Sequence, residues 1–283
     1  IEPLGSGGFG EVWKCEAPGG LFKAVKFVRG EGDDLHPLGP AGADQELRAL
    51  QHVKTLRHPF LLGMDRVEWV DGELVIIMEL ADRSLHDLLQ ECRAEGMAGV
   101  PRAELLRYMG EAADALDVLN QEYGLQHLDV KPRNLFLVGR HVKVGDFGLV
   151  NSLAELSGGA AGAAQMGAVT PLYAAPESFL GKVTLFSDQY SLAIAYHELL
   201  VGEPPFVGKN FRQLALQHLQ AEPDLGRLPP ADRPVVARAL AKEPRARFPS
   251  CTAFAEALRS GDVSAPVGPP PSAPSRPKPA TRT

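Results

Sequence analysis

His127-Leu128-Asp129-Val130-Lys131-Pro132-Arg133-Asn134 is the stretch on which the reading of this chain turns. It puts a carboxylate, an ammonium group and an amide into one short loop. Two short strands, Leu135 to Val138 and His141 to Val144, are predicted after it around a Gly139-Arg140 turn. Such a hairpin folds the chain back on itself, so Asn134 can meet Asp146 of the next motif, Asp146-Phe147-Gly148. Two oxygen-bearing side chains beside a lysine and a second carboxylate suit a ligand that spreads negative charge over several oxygens. Ala175-Pro176-Glu177 follows downstream. Each motif is too short to carry weight alone, whereas their order along one chain is very specific.

Toward the N-terminus stands Gly5-Ser6-Gly7-Gly8-Phe9-Gly10-Glu11-Val12. Glycines at these places let a backbone approach phosphate oxygens that a side chain would block. In a dinucleotide-binding fold similar glycines open a helix, but here Glu11 to Glu16 alternates like a strand. A glycine-rich hairpin lying over phosphates is the better reading, with a plain structural hairpin as its alternative. Ala24-Val25-Lys26 lies on the next predicted strand, Leu21 to Arg29. Met64 to Val70 and Glu73 to Leu80 form a further strand pair around the turn signal Asp71-Gly72. Between these strands a helix is predicted from Asp44 to Leu56, with Leu47, Leu50, Val53 and Leu56 on one face, ended by His58-Pro59.

After Ala81 the pattern turns helical. Ser84 caps a helix to Glu95, and Pro101 suits the first turn of a long one that Gly124 stops after Tyr123. The loop beyond Val144 exceeds twenty residues, a length that in compact domains usually marks function. Ser187 to Val201 is apolar nearly all round, as expected of a central buried helix. Asn210 to Gln220, Ala231 to Ala241 and Cys251 to Arg259 are further predicted helices. Residues 260–283 are proline-rich and read as an extended or disordered linker.

Composition narrows the function classes. Apolar residues at 45% and charged residues at 23% fit a folded globular chain. A net charge of −6, with lysine and arginine scattered among acids, excludes the basic stripe of a nucleic-acid binder. Cys15, Cys92 and Cys251 form neither a C-x-x-C pair nor a zinc spacing, which fits a reducing, cytoplasmic setting. Leu192 to Val201, the longest strongly apolar run, is too short to span a bilayer, so no membrane contact is expected of this segment. The chain opens without methionine, and it reads as the cytosolic piece of a longer protein, one that a membrane anchor elsewhere would suit.

Taken together, these motifs resemble the protein kinase family over residues 1 to about 259. The resemblance implies an α+β bilobal fold, with an N-lobe at 1–80 of mostly antiparallel strands plus one helix and a mainly helical C-lobe at 81–259. It implies ATP and Mg2+ as cofactors and a protein substrate with a serine or threonine acceptor. Leu4, Gly5, Ser6, Gly7, Gly8, Phe9, Gly10 and Val12 would cover the nucleotide. Ala24, Met78, the hinge Glu79-Leu80-Ala81 and Leu135 would surround its base. Lys26, paired with Glu46, would hold the α- and β-phosphates, Asp129 would take the hydroxyl proton beside Lys131, and Asn134 and Asp146 would hold the metal. Lys131 and Thr170 match the serine/threonine branch. Asp188 would brace the catalytic loop, and Arg247 would pair with Glu177.

Leu128 departs from the family, since it stands where many kinases carry an arginine that receives an activation-segment phosphate. Activity independent of phosphorylation between Leu149 and Val169 is therefore expected. Arg133, near the incoming peptide, would disfavour basic residues beside the acceptor. A nucleotide- or partner-binding pseudokinase scaffold and a small-molecule phosphotransferase of related fold are the alternatives.

Overall fold

A computed structural model describes residues 1–7, 10–29, 50, 53, 56–71, 73–148, 150–152 and 170–264. The first lobe is a five-stranded antiparallel sheet of β1 (Glu2–Gly7), β2 (Gly10–Ala17), β3 (Leu21–Arg29), β4 (Met64–Val70) and β5 (Glu73–Glu79), in the order β1-β2-β3-β5-β4. Valine- and isoleucine-rich alternation builds it, since one face must be buried. Val28, Leu74 and Ile76 are buried from the sheet side, and Leu50 and Val53, both helical, from the other. Leu56, the predicted last residue of the Asp44 to Leu56 helix, is buried but not helical, and the remaining residues of that helix lie outside the described residues. Asp71 takes a left-handed backbone (φ 50) in the β4–β5 turn, a conformation that short polar side chains tolerate.

Gly10 has a steric reason to be glycine. Its φ is +115°, and a Cβ there would stand 2.0 Å from the Phe27 carbonyl oxygen of β3. Only a bare Cα allows β2 to lie this close where it leaves the hairpin.

The second lobe begins with β6 (Arg83–Ser84), α1 (Leu85–Ala94) and α2 (Arg102–Tyr123). Ser84 and Asp87 form a reciprocal capping box at the start of α1. Pro101 is not in the first turn but just before it, as the N-cap of α2, with φ −54 and ψ 128. Gly124 ends α2 in the left-handed region (φ 66). Next come β7 (Leu125–Gln126), β8 (Leu135–Val138), β9 (His141–Val144) and β10 (Asn151–Ser152), then α3 (Ser187–Val201), α4 (Phe211–Gln220), α5 (Asp232–Ala239) and α6 (Cys251–Ser260). Two-residue strands such as β6, β7 and β10 have no periodicity to read, so nothing in the sequence announces them. The proline-rich residues 265–283 lie outside the described residues.

Helix α3 is the centre of this lobe, with Tyr190, Leu192, Ile194, Tyr196 and Leu199 fully buried. A helix buried on every side must satisfy its polar groups internally. Gln189 donates to the carbonyls of Phe248 (2.9 Å) and Ser250 (2.8 Å) and accepts from the Phe248 N–H (3.1 Å). The Tyr196 hydroxyl donates to Asp232 (2.8 Å), which also takes two hydrogen bonds from Arg102.

The lobes are joined at the root of the cleft between them. Leu62 N–H donates to the Val144 carbonyl and Val144 N–H to the Phe60 carbonyl, both at 2.8 Å. Beside this pairing, Lys143 of β9 bonds both oxygens of Glu79 at 2.8 Å, and Glu79 also accepts the Gly63 N–H at 3.1 Å.

One buried group in the second lobe carries a pH signature. His218 has no exposed surface and packs beside Phe206, Phe179 and Tyr190. Burial, reinforced by the Lys242 charge, lowers its pKa to about 4. An unfolded chain protonates this imidazole near 6.5, so its contribution to stability is full above that pH and shrinks as pH falls toward 4. Acidification from pH 7 to pH 5 should remove about 2 kcal/mol through His218 alone. Denaturant melts of wild type and His218→Gln at the two pH values test this: their stability difference should narrow by that amount, and a constant difference would refute it.

Candidate active site

The hairpin between β8 and β9 does what its sequence implies. Asn134 ends a 3-10 turn (Pro132–Asn134), the hairpin returns the chain, and the Gly145 N–H donates to the Asn134 carbonyl at 3.0 Å. Asp146 follows at once, with a left-handed backbone (φ 61) that turns its carboxylate toward β3. There Lys26 Nζ lies 3.1 Å from Asp146 Oδ1. Burial works against ionisation of Asp146, but the charge and hydrogen bond of Lys26, aided by Lys131, hold its carboxyl below the ordinary carboxylate value.

Asp129 is only 5% exposed and is held by three side chains. Its Oδ1 accepts the Thr170 hydroxyl at 2.9 Å, and its Oδ2 accepts Lys131 Nζ at 2.7 Å and Asn134 Nδ2 at 2.8 Å. Lys131 also donates to the Thr170 hydroxyl at 2.9 Å, closing a triangle. The Asn134 amide nitrogen donates as well to the Asp129 carbonyl (2.8 Å), which leaves its oxygen directed away from this cluster.

Asp188, the first-turn acid of α3, fixes the loop's shape. It accepts the backbone N–H groups of His127 (2.7 Å) and Leu128 (2.8 Å). Leu128 has φ 65, a conformation that costs a side-chain-bearing residue roughly 1–3 kcal/mol and persists only when its surroundings enforce it. Burial pushes the Asp188 carboxyl upward even against these two bonds. Further on, Glu177 and Arg247 form a buried two-pronged ion pair (2.8 and 2.7 Å), which ties the segment from Thr170 to the second lobe.

A cleft of about 360 Å³ has Lys26 and Asp146 in its wall, whereas Asp129, Lys131 and Asn134 are not among the residues that line it. Of the residues assigned from sequence, Leu4, Gly5, Val12, Ala24, Lys26, Met78, Glu79, Leu80, Ala81 and Asp146 line it. Ser6, Gly7 and Gly10 belong to the hairpin at its edge. Gly8, Phe9 and Glu46 lie outside the described residues. Leu135 is a correction: it is fully buried and turned into the second-lobe core, while Phe136 lines the cleft. On a strand successive side chains face opposite ways, so the residue expected at the base is displaced by one position. Leu62 and Phe147 also line the cleft and were not assigned from sequence.

The donor set fits a hard divalent cation, since an amide oxygen of Asn134 and a carboxylate of Asp146 held in its charged form are the ligand type that magnesium prefers. The cleft itself is largely apolar at Val12, Ala24, Ile76 and Met78, with Lys26 and Asp146 among its charged lining. That pattern suits a flat base joined to a polyphosphate.

A family model described as the protein kinase domain matches residues 1–256. The serine/threonine-protein kinase PknF of Mycobacterium tuberculosis is 34% identical over 276 residues, covering 91% of this chain and 55% of that protein. The serine/threonine-protein kinase PknB of Mycobacterium leprae is 32% identical over 243 residues, covering 80% of this chain and 36% of that protein. The chain thus spans about half, or less, of these curated relatives. Among solved structures, the PknI kinase domain of Mycobacterium tuberculosis, in a cysteine-to-alanine mutant form, superposes with a TM-score of 0.68 at 29% identity, covering 92% of this chain and 94% of that one. With its motifs, its two-lobed fold and these matches in agreement, the chain belongs to the protein kinase domain family.

Proposed function

We propose that this chain transfers the γ-phosphoryl group of ATP to a serine or threonine hydroxyl of a protein. The observation that carries the reading is the pairing of Lys26 with Asp146 in the cleft wall, together with the cluster of Asp129, Lys131 and Asn134 that the Gly145–Asn134 hydrogen bond ties to the residue before Asp146. Lys26 lies where it can hold phosphate oxygens once a nucleotide displaces its contact with Asp146. Asn134 and Asp146 would hold magnesium, which supplies neutralisation of the charge on the transferring group. Asp129 orients the acceptor hydroxyl and takes its proton, and Lys131 stands beside it to stabilise the charge that develops. Thr170, bonded to both, fixes the segment against which an acceptor peptide would lie. The complete set of Lys26, Asp129 and Asp146 speaks against a pseudokinase scaffold.

The test is transfer of label from γ-labelled ATP to an unstructured generic protein in the presence of magnesium, followed by acid hydrolysis. Phosphoserine or phosphothreonine is the expected product. Nucleotide binding without transfer would favour the scaffold.

The same reading bears on regulation. Leu128 is buried and has no guanidinium with which to receive a phosphate from the segment that follows Asp146. Its neighbourhood is instead set by the Asp188 carboxylate. Activity is therefore expected without phosphorylation between Leu149 and Val169, where Ser157 lies outside the described residues. Ser152→Ala combined with Ser157→Ala should leave the transfer rate unchanged, and a folded but inactive double variant would refute this.

A further inference from the structure

Arg133 sits in the 3-10 turn just beyond the catalytic loop. The other two members of that turn, Pro132 and Asn134, are buried, while Arg133 is exposed, and its charge reaches Tyr173 and Glu198. Its guanidinium Nη2 lies 2.9 Å from Nε2 of His86 on α1. A guanidinium has no acceptor, so the imidazole nitrogen must accept, which requires a neutral His86. Burial first, and then the Arg133 charge, lower the His86 pKa in agreement with this. The partner of Arg133 therefore supplies no negative charge.

The acids around Arg133 are committed elsewhere. Asp87 accepts from the backbone and hydroxyl of Ser84. Glu198 of α3 accepts the Tyr173 hydroxyl at 2.5 Å, and burial pushes its carboxyl toward the protonated form. Asp129 is shared among Lys131, Asn134 and Thr170. Among the described residues no carboxylate forms an ion pair with Arg133. A forked cation with unused donors thus stands exposed just past the loop to which, on the kinase reading, a peptide must bring its hydroxyl. Forked donors of this kind match a carboxylate in geometry as well as charge.

We infer that Arg133 selects substrates with an aspartate or glutamate beside the acceptor and rejects those with a basic residue there. The inference rests on the kinase reading of the site. Rim charges of this kind contribute modestly in energy but consistently to selectivity.

Three sets of serine peptides, identical except for aspartate, alanine or arginine flanking the acceptor, test it through kcat/KM, with an unstructured generic protein assayed in parallel. Wild type should favour the aspartate over the arginine peptide by roughly tenfold. The ratio should contract as salt is raised, because the pairing is solvent-exposed. Arg133→Glu should invert the order, and Arg133→Ala should flatten it. Nucleotide binding by each variant reports that it is folded. Equal use of the three sets, a wild-type preference for arginine, or an unchanged order in Arg133→Glu would each overturn the inference while transfer to the generic protein keeps the kinase reading intact. No transfer to any peptide or to the protein would remove both.

Discussion

Asp129→Asn is expected to lower the rate of phosphoryl transfer by roughly 10²–10⁴ while leaving nucleotide binding nearly unchanged. The substitution keeps the size of the side chain and its oxygen toward either Thr170 or Lys131, so the loop has little reason to rearrange. What it would remove, on the proposed reading, is the ability to take a proton from the acceptor hydroxyl. On the proposed reading the nucleotide would be held elsewhere, by the apolar walls of the cleft and by Lys26, so binding and turnover should separate. Initial rates with labelled ATP, set against nucleotide affinity from a fluorescence titration, measure the two. A variant still transferring within about tenfold of wild type would mean that Asp129 is not the general base.

Arg247→Ala should cost about 3–5 kcal/mol of stability. Arg247 is 1% exposed, and its guanidinium serves both oxygens of Glu177, the carbonyls of Phe186 (3.0 Å) and Ala241 (2.9 Å), and the face of Tyr190. Glu177 in turn accepts hydroxyls from Ser187 and Thr184. Removing the cation leaves a carboxylate buried with only neutral donors, and that uncompensated charge, more than the lost attraction, is the source of the cost. Glu177→Ala should be comparably harmful for the mirror-image reason. The double variant Glu177→Leu, Arg247→Met, which leaves no buried charge, should recover much of the loss in urea melts. If the double variant is as unstable as the sum of the two singles, the explanation by unpaired charge is wrong.

Which polar groups meet was legible in sequence because they are rare and ordered along the chain: Lys26 meets Asp146, and Asp129 meets Lys131 and Asn134. To bring Asn134 near Asp146 the chain needed only to fold back at Gly139, and the β8–β9 hairpin provides that. The brace of Asp188 and the pair of Glu177 with Arg247 were likewise readable once the family resemblance was in hand. Leu135 and Phe136 were not separable that way. Both are apolar and adjacent, and only the facing of the strand, set by what packs under Val142 and Val144, decides which one looks into the cleft. The ion pair between Glu79 and Lys143 was also hidden, since nothing local marks two residues from different lobes as partners. The rim pair of Arg133 and His86 was half visible: the arginine stood out, while its lack of a carboxylate partner depends on where α1 places His86.

The join at the root of the cleft behaves like the spine of a bound book. Leu62 and Val144 are stitched by backbone bonds, and Lys143 staples Glu79 alongside them. Any parting of the covers would swing about that spine, so Glu79, stapled to it, would move least. On the proposed reading a base beside Glu79 would meet a slot of nearly constant width, and the phosphates the part free to adjust.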